Sequence, residues 1–491
     1  MYKLVDIQQI IENRTYFSHT DLDKVEELLS DHMQLTLKYY EHYCNVKGIG
    51  EKVINLLTKI GFTEEEINIG YSLFVNAIYL HDIGKINPAF QYKKMGNSLF
   101  KKNDFYTEQH SIFSSYIYIC ECLKQLPLHT KRLNYLLYCF AYIISRHHGC
   151  LGDIVDFDDE LKKYDISEFY SAELEEWIDS ERLDCRIGSI INMIADKEAF
   201  YILNRLLFAC ITSCDFAATG EYMSDTTYTM ECISDFQSFS TKYYESILYS
   251  TIHSYQRKNI LDICNINELR TELFLEAQEG LMKNPRANIY YLEAPTGSGK
   301  TNCSINLGLK IIENDCTINN MFYIFPFNTL VEQTADTLYK YFSDEDVVII
   351  NSVNPIDINV GSQEQPNYEA LLINRLNNNY PIVITTHVNF FNMLFGTRRE
   401  HTFPLLKLCN SVVIIDEIQS YKNDIWPEMI AFLSKYSSLL NIKIIIMSAT
   451  LPKVDQTFNF DGDFHALLSD SKKFFGHPLF KDRVKIDTSL M

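Results

Sequence analysis

Two periodicities divide the chain. From residue 1 to about 250 the apolar residues recur at helical spacing, with glycine and proline sparse. Thr20-Asp21-Leu22-Asp23 reads as a capping box opening a helix whose inward stripe is Val25, Leu28, Leu29, His32, Leu35 and Tyr39, which puts His32 on the buried face. The run YSLFVNAIYL leads directly into HDIGK, His81 to Lys85. Helical stripes likewise precede His147 (Phe140, Ile143, Ile144) and Asp215 (Leu207, Phe208, Ile211). Several costly polar groups are thereby aimed into one all-helical interior, which core packing alone does not require.

After a polar, aromatic-rich connection the pattern changes to short β-rich runs alternating with helical segments. The runs are 289–294, 321–325, 347–350, 381–385, 411–416 and 442–448. Apolar strands of this kind, separated by helices, predict an α/β domain with a mainly parallel sheet covered on both faces. The expected organisation is multidomain: an all-α domain at 1–240, a linker at 241–265, an α/β domain at 266–460, and at 461–491 the start of a connection to a further domain. A chain of 491 residues is too long for one ordinary core.

Composition narrows the partners. With 44 basic and 64 acidic residues the net charge is −20, so a broad electrostatic grip on nucleic acid or on an anionic membrane is excluded, and any nucleic-acid contact must be local. The thirteen cysteines form no CxxC pair and suggest neither a disulfide framework nor a structural zinc cluster. No continuous apolar run reaches the roughly 18 residues of a membrane span. A reduced, cytoplasmic setting without membrane contact is expected.

APTGSGKT leaves a strand and enters a helix, the context a phosphate-binding loop requires. Ala294, Pro295, Thr296, Gly297, Ser298, Gly299, Lys300 and Thr301 are the candidate ATP-binding residues. Lys300 would reach the β and γ phosphates and Thr301 would hold Mg²⁺. DEIQ ends the strand SVVIID; Asp416 suits the Mg²⁺ shell and Glu417 suits polarisation of the attacking water, with Gln419 beside them. These residues resemble superfamily 2 DExH helicases. APTGSGKT stands as motif I, FPFNTLVEQ as motif Ia, TTH as a strand-contact loop, DEIQ as motif II and MSAT as motif III, so 266–460 is expected to be a RecA-like domain. The resemblance implies a coupling role for Ser448 and Thr450 and contacts from Asn328, Thr329 and Thr386 to the phosphates of one DNA strand. Asn267 and Arg270 suit either an adenine contact or plain solvation.

The helical half carries His32, His81, Asp82, His110, His147, His148 and Asp215. Taken singly, each histidine is more often a core or surface residue, but imidazoles with carboxylates are ligands for Mn, Fe, Co or Ni, and two such ions can clamp a phosphodiester. Lys85, three residues after Asp82, is placed to steady the site or a scissile phosphate. This order resembles the HD phosphohydrolase superfamily. Its fusion to a DEIQ-type helicase resembles the CRISPR-associated nuclease/helicase of type I interference systems, over essentially the whole chain. The resemblance implies that those seven residues hold two divalent metal ions, that Asp82, Lys85 and Glu417 serve catalysis, and that foreign single-stranded DNA, recruited by an RNA-guided surveillance complex, is the substrate. His19 fits a family pattern without a clear role, and His42 reads as structural or exposed. The lysines of the 92–104 loop (Lys93, Lys94, Lys101, Lys102) read more readily as solvated than as a DNA guide.

Only 41 residues follow Thr450, fewer than the 100 or so of a second RecA-like domain, so the chain is expected to be a fragment, a truncated product or half of a split enzyme whose second motor domain sits on a separate chain. Weak ATP·Mg²⁺ binding without unwinding is expected from it. A phosphohydrolase acting on nucleotides and a non-catalytic recruitment fragment are the competing readings.

Overall fold

A computed structural model describes residues 2–12, 14–101, 108–161, 192–351, 374–420, 426–450 and 464–481. The chain forms two compact units: Met1–Met230 with Ile358–Asn377 and Asn392–Leu406, and Glu231–Asp357 with Asn378–Phe391 and Lys407–Met491. The boundary therefore falls at 230/231, ten residues before the expected one. Lys102 and Asp104, in the lysine loop, lie outside the described residues.

The first unit is helical apart from a small antiparallel pair, β1 (Phe17–His19) and β2 (Glu27–Leu28). Its principal helices are α1 (Leu29–Lys47), α2 (Ile49–Ile60), α3 (Glu64–Tyr79), α4 (Ser111–Gln125), α5 (Lys131–Arg146) and α6 (Lys197–Ser224). Helix α6 packs against α1, α2, α3 and α5. It is long and apolar enough to cross a membrane by length and composition, which the search for continuous apolar runs passed over, yet 72% of that window is buried inside the protein. Its Leu203, Leu206, Leu207 and Ile211 are fully buried, so it reads as a core helix.

The capping box expected at Thr20 does not form. Residues 27 and 28 pair with 17–19, helix α1 starts only at Leu29, and Val25 is exposed. Strand pairing has overridden a local helix-start signal. A genuine capping box opens α3 instead: Thr63 Oγ1 accepts from Glu66 N at 3.3 Å and Glu66 Oε2 accepts from Thr63 N at 2.9 Å.

The second unit is built on a seven-stranded parallel sheet in the order β5-β6-β4-β7-β8-β3-β9. The strands are β3 (Ile289–Glu293), β4 (Asn320–Phe325), β5 (Val347–Ile350), β6 (Ile382–Thr386), β7 (Ser411–Ile415), β8 (Ile442–Ser448) and β9 (Phe464–Ala466). The first six coincide with the six apolar runs within a residue or two. The seventh was unforeseen: β9 pairs with β3, so 464–466 belong to the sheet and not to an outgoing connection. The expected linker is likewise part of this unit. It folds into α7 (Phe236–Tyr244) and α8 (Ile247–His253), and Tyr243 and Ile252 join the sheet unit's core.

Candidate metal centre and nucleotide site

Four helix ends and the middle of a fifth helix bring the helical unit's histidines and acids together. Helix α3 ends at Tyr79 and hands His81 and Asp82 to a tight 3₁₀ turn, Ile83–Ile86. Gly84 allows that turn to press against the start of α4, because a Cβ there would lie 2.1 Å from His110 O and 2.5 Å from Ser114 N. Gly84 N donates to Ser114 Oγ at 2.8 Å, fixing the approach. His110 caps α4, His147 caps the C-terminus of α5, His32 lies in the first turn of α1, and Asp215 lies within α6.

All seven expected ligands converge, in two groups that share one carboxylate. Asp82, His110, His147 and His148 form one; His32, His81, Asp82 and Asp215 form the other, with the ligand atoms of each group within 4.8 Å of one another. Asp82 Oδ1 lies 3.1 Å from His110 Nε2 and 3.4 Å from His147 Nε2, while Oδ2 lies 3.4 Å from His32 Nε2 and 3.6 Å from His81 Nε2. Asp215 Oδ1 closes the second group, 3.3 Å from His32 Nε2 and 3.5 Å from His81 Nε2. Neither Asp82 oxygen, nor either ring nitrogen of His32, nor Nε2 of His81 or His147, makes an aligned hydrogen bond, although all are buried. Orphaned buried donors and acceptors are costly without a further partner, and neutral imidazoles with carboxylates are the ligand chemistry of a divalent transition metal. The residues therefore fit a pair of such ions.

Backbone carbonyls fix two of the rings. His81 Nδ1 lies 2.9 Å from Ile78 O and His147 Nδ1 lies 2.6 Å from Ile144 O, which turns Nε2 of each towards Asp82. Burial disfavours the charged form of His32, but Asp215, Asp82 and Glu27 outweigh it and raise the ring to about 10. Burial would likewise raise Asp82, yet Lys85 and His81 hold it well below the usual range. His148 is pushed down to about 2 by neighbouring His147 and by burial.

Lys85 points inwards. Its ammonium lies 2.7 Å from Asp82 Oδ2, 3.0 Å from Ser18 Oγ, 3.2 Å from Ser18 O and 3.4 Å from His19 Nε2, and the residue is only 3% exposed. Of the two roles expected for it, this geometry favours steadying the site over meeting a phosphate. His42 accepts from Met230 N at 3.4 Å, a structural contact. Lys93 and Lys94 are paired with Glu108 at 3.3 and 3.1 Å, which suits a solvated loop. Composition gave no hint of Ser18, Gly84, Ser114 or Glu27; the glycine of HDIGK was the one available signal.

In the sheet unit every helicase-like motif lies at the C-terminal edge of the sheet, where parallel α/β sheets bind ligands. The phosphate loop runs from β3 into α10 (Lys300–Asn314), with α9 (Ile266–Lys283) preceding β3. Gly297 and Gly299 take φ of 77° and 89°, which favours glycine. A cleft of 490 Å³ is lined by Thr296, Lys300, Thr301, Phe325, Asp416 and Glu417. Lys300 Nζ lies 3.4 Å from Glu417 Oε1. Burial raises Asp416 to about 6, with Lys300 opposing the shift. Glu417 accepts from Gln419 Nε2, Gln419 Oε1 accepts from Ser448 Oγ at 2.5 Å, and Ser448 Oγ accepts from Thr450 N at 3.0 Å. That chain joins motif II to motif III. Arg270 donates to Gly297 O at 2.9 Å, so it braces the phosphate loop and is not simply solvated. Asn328 and Thr329 open α11 (Asn328–Leu338) after β4, and Thr386 ends the neighbouring β6, in register with Phe325.

Two family models match along the chain: the HD domain of Cas3 over residues 24–186 and the DEAD/DEAH box helicase over 275–457. A CRISPR-associated nuclease/helicase Cas3 from Haloferax volcanii is 26% identical over 182 residues, spanning 33% of this chain and 19% of that protein. Crystal structures of T. fusca Cas3 share the fold. The form with ATP aligns with TM-score 0.55 at 12% identity over 99% of this chain and 53% of that one. The form with ADP gives 0.52 at 14% over 91% and 51%. The chain thus spans about half the length of these structures. A match to the HD domain of Cas3 followed on one chain by a match to a DEAD/DEAH box helicase, on a parallel-sheet unit, is the domain arrangement of a Cas3-like HD-helicase, to which this chain is similar.

Proposed function

We propose that the helical unit is a two-metal nuclease domain that hydrolyses phosphodiester bonds of single-stranded DNA, fed by the ATP-binding unit. The observation that carries this reading is the sharing of Asp82 between two four-residue His/Asp groups, the arrangement in which one carboxylate bridges two ions. When bound, the ions would supply Lewis acidity and a water of lowered pKa. The chain's own residues do the rest: Asp82 sets the spacing, His32, His81, Asp215, His110, His147 and His148 present lone pairs to its two sides, and Lys85 offsets buried negative charge. Mn, Ni, Co and Fe all suit this donor set.

In the sheet unit Lys300, Thr301 and Asp416 would hold ATP·Mg²⁺, with Glu417 turned to the attacking water and Ser448 and Thr450 relaying nucleotide state. Asn328 and Thr329 open the helix that follows β4 and Thr386 ends the neighbouring β6, a placement suited to the phosphates of one strand. A local contact of this kind agrees with the net charge of −20. The partner this reading calls for is an RNA-guided surveillance complex that presents foreign DNA. The setting is antiviral defence in the cytoplasm.

The test is cleavage of circular single-stranded DNA across Mn²⁺, Ni²⁺, Co²⁺ and Mg²⁺, with and without ATP, beside hydrolysis of free and cyclic nucleotides. The proposal expects metal-dependent DNA cleavage that survives Lys300→Ala and disappears in Asp82→Ala. Turnover of nucleotides with intact DNA would select the phosphohydrolase reading, and absence of any turnover would select the recruitment reading.

A further inference from the structure

One buried carboxylate beside the metal centre is not among its expected ligands. Glu27 pairs across the β1–β2 ladder with His19, and its Oε2 lies 2.6 Å from His19 Nδ1 and 3.2 Å from His32 Nδ1. Its side chain is 8% exposed. The β1–β2 hairpin that carries it is anchored from outside: Lys24 Nζ donates to Tyr222 O at 2.8 Å and Tyr222 OH donates to Val25 O at 3.1 Å. Glu27 is thus held in place independently of the residues it faces.

We infer that Glu27 is a positioning residue for the metal centre, fixing the proton of His32 on Nδ1 so that the Nε2 lone pair faces Asp82 and Asp215. The inference rests on the two-metal reading. A neutral imidazole that gives Nε2 to a cation must keep its proton on Nδ1. For His81 and His147 a helix carbonyl receives that proton; for His32 the acceptor beside Nδ1 is Glu27 Oε2, 3.2 Å away but without the alignment of a hydrogen bond, so here the carboxylate acts through proximity and charge. Among these three rings, only His32 is therefore oriented by a replaceable side chain.

The same oxygen governs a second ring. By accepting from His19 Nδ1, Glu27 leaves His19 Nε2 as an acceptor, and that atom lies 3.4 Å from Lys85 Nζ. One carboxylate thus orients a ligand histidine and, through His19, helps hold the ammonium that faces Asp82. A third ion held by His19, Glu27 and His32 is disfavoured by this geometry. The 2.6 Å separation is that of a hydrogen bond, and His32 would have to serve as a doubly deprotonated bridge between cations.

The experiment is Mn²⁺ binding to the full chain by calorimetry and paramagnetic resonance, for wild type, Glu27→Gln, Glu27→Asp and Glu27→Ala, alongside the histidine ring signals read by nitrogen NMR in the Zn²⁺-loaded protein and the visible spectrum of the Co²⁺-loaded form. Loss of a carboxylate behind a ligand histidine typically costs 10–100-fold in metal affinity. Glu27→Ala is expected to lose that much and to alter the Co²⁺ spectrum, with Glu27→Gln, whose amide oxygen can still accept, losing less. Should Glu27→Ala fail to fold, Glu27→Gln carries the test, with at least a threefold loss expected and an altered His32 Nδ1 signal in the Zn²⁺-loaded protein. Wild-type affinity and spectrum in the folded variants overturn the inference while leaving the metal centre standing. Three Mn²⁺ per chain overturn it in favour of a third site, and no binding by wild type overturns both.

Discussion

Asp82→Asn separates the two duties that the structure gives one carboxylate. In the metal-free protein Asp82 is fully buried and is the anion nearest the buried ammonium of Lys85, at 2.7 Å. The amide keeps the volume but leaves Lys85 with only Ser18 and His19. Removing one partner of a buried ion pair costs about 3–5 kcal/mol. For a unit of this size each kcal/mol moves the melting transition by roughly 2–4 °C, so calorimetry should place the variant's helical unit roughly 6–20 °C below wild type. Metal response is the second readout. Mn²⁺ at a hundred times its Kd stabilises the wild type by about 2.7 kcal/mol, and the variant, with three ligands left in each group, should gain little. Adding Lys85→Met removes the stranded ammonium, so the double variant should recover most of the metal-free loss yet still ignore Mn²⁺. If Asp82→Asn melts with wild type and rises equally with Mn²⁺, the shared-carboxylate reasoning is wrong.

Gly84→Ala would drive a Cβ to 2.1 Å from the carbonyl of His110, so α4 must shift and carry His110 with it; Mn²⁺ affinity by calorimetry should fall at least tenfold. Lys300→Ala should abolish ATP binding in fluorescence titrations of the 490 Å³ cleft while leaving Mn²⁺ binding by the helical unit intact. Glu66→Ala removes hydrogen bonds from Thr63 N, Thr130 Oγ1 and Arg132, and denaturant unfolding should register a loss of about 2–3 kcal/mol. Burial works to raise Glu66, but those partners lower it below its usual 4.5, so its stabilisation is present above that value and fades as pH falls through the depressed one. Stability of the Glu66→Ala protein should accordingly depend less on pH on the acid side.

The parts legible from sequence were those whose signal is local. Six of the seven parallel strands announce themselves as apolar runs because both faces of the sheet are covered, and the motifs sit at strand ends, where a strand–turn–helix pattern can be recognised. Strand β9 could not be seen that way: Phe464–Ala466 is three residues long and is a strand only because β3 offers a free edge. The false start at Thr20 has the same cause in reverse, a capping pattern overruled by pairing between Phe17–His19 and Glu27–Leu28. In the candidate metal centre the converging side chains were readable because histidines and aspartates at the ends of apolar stripes are conspicuous. Glu27 was not, since an acid among Lys24, Glu26 and Asp31 looks like solvated surface until the hairpin turns it inwards. Lys85 was readable as a partner of Asp82 by its spacing, but the direction of its ammonium depends on Ser18, 67 residues away.

The claim on which the rest depends is that Asp82 joins two metal sites. Anomalous scattering from crystals equilibrated with Mn²⁺ tests it directly. The account predicts two peaks about 3.5–4 Å apart on either side of the Asp82 carboxylate, one among His110, His147 and His148 and the other among His32, His81 and Asp215. A single peak, or peaks that leave Asp82 uncoordinated, would contradict it.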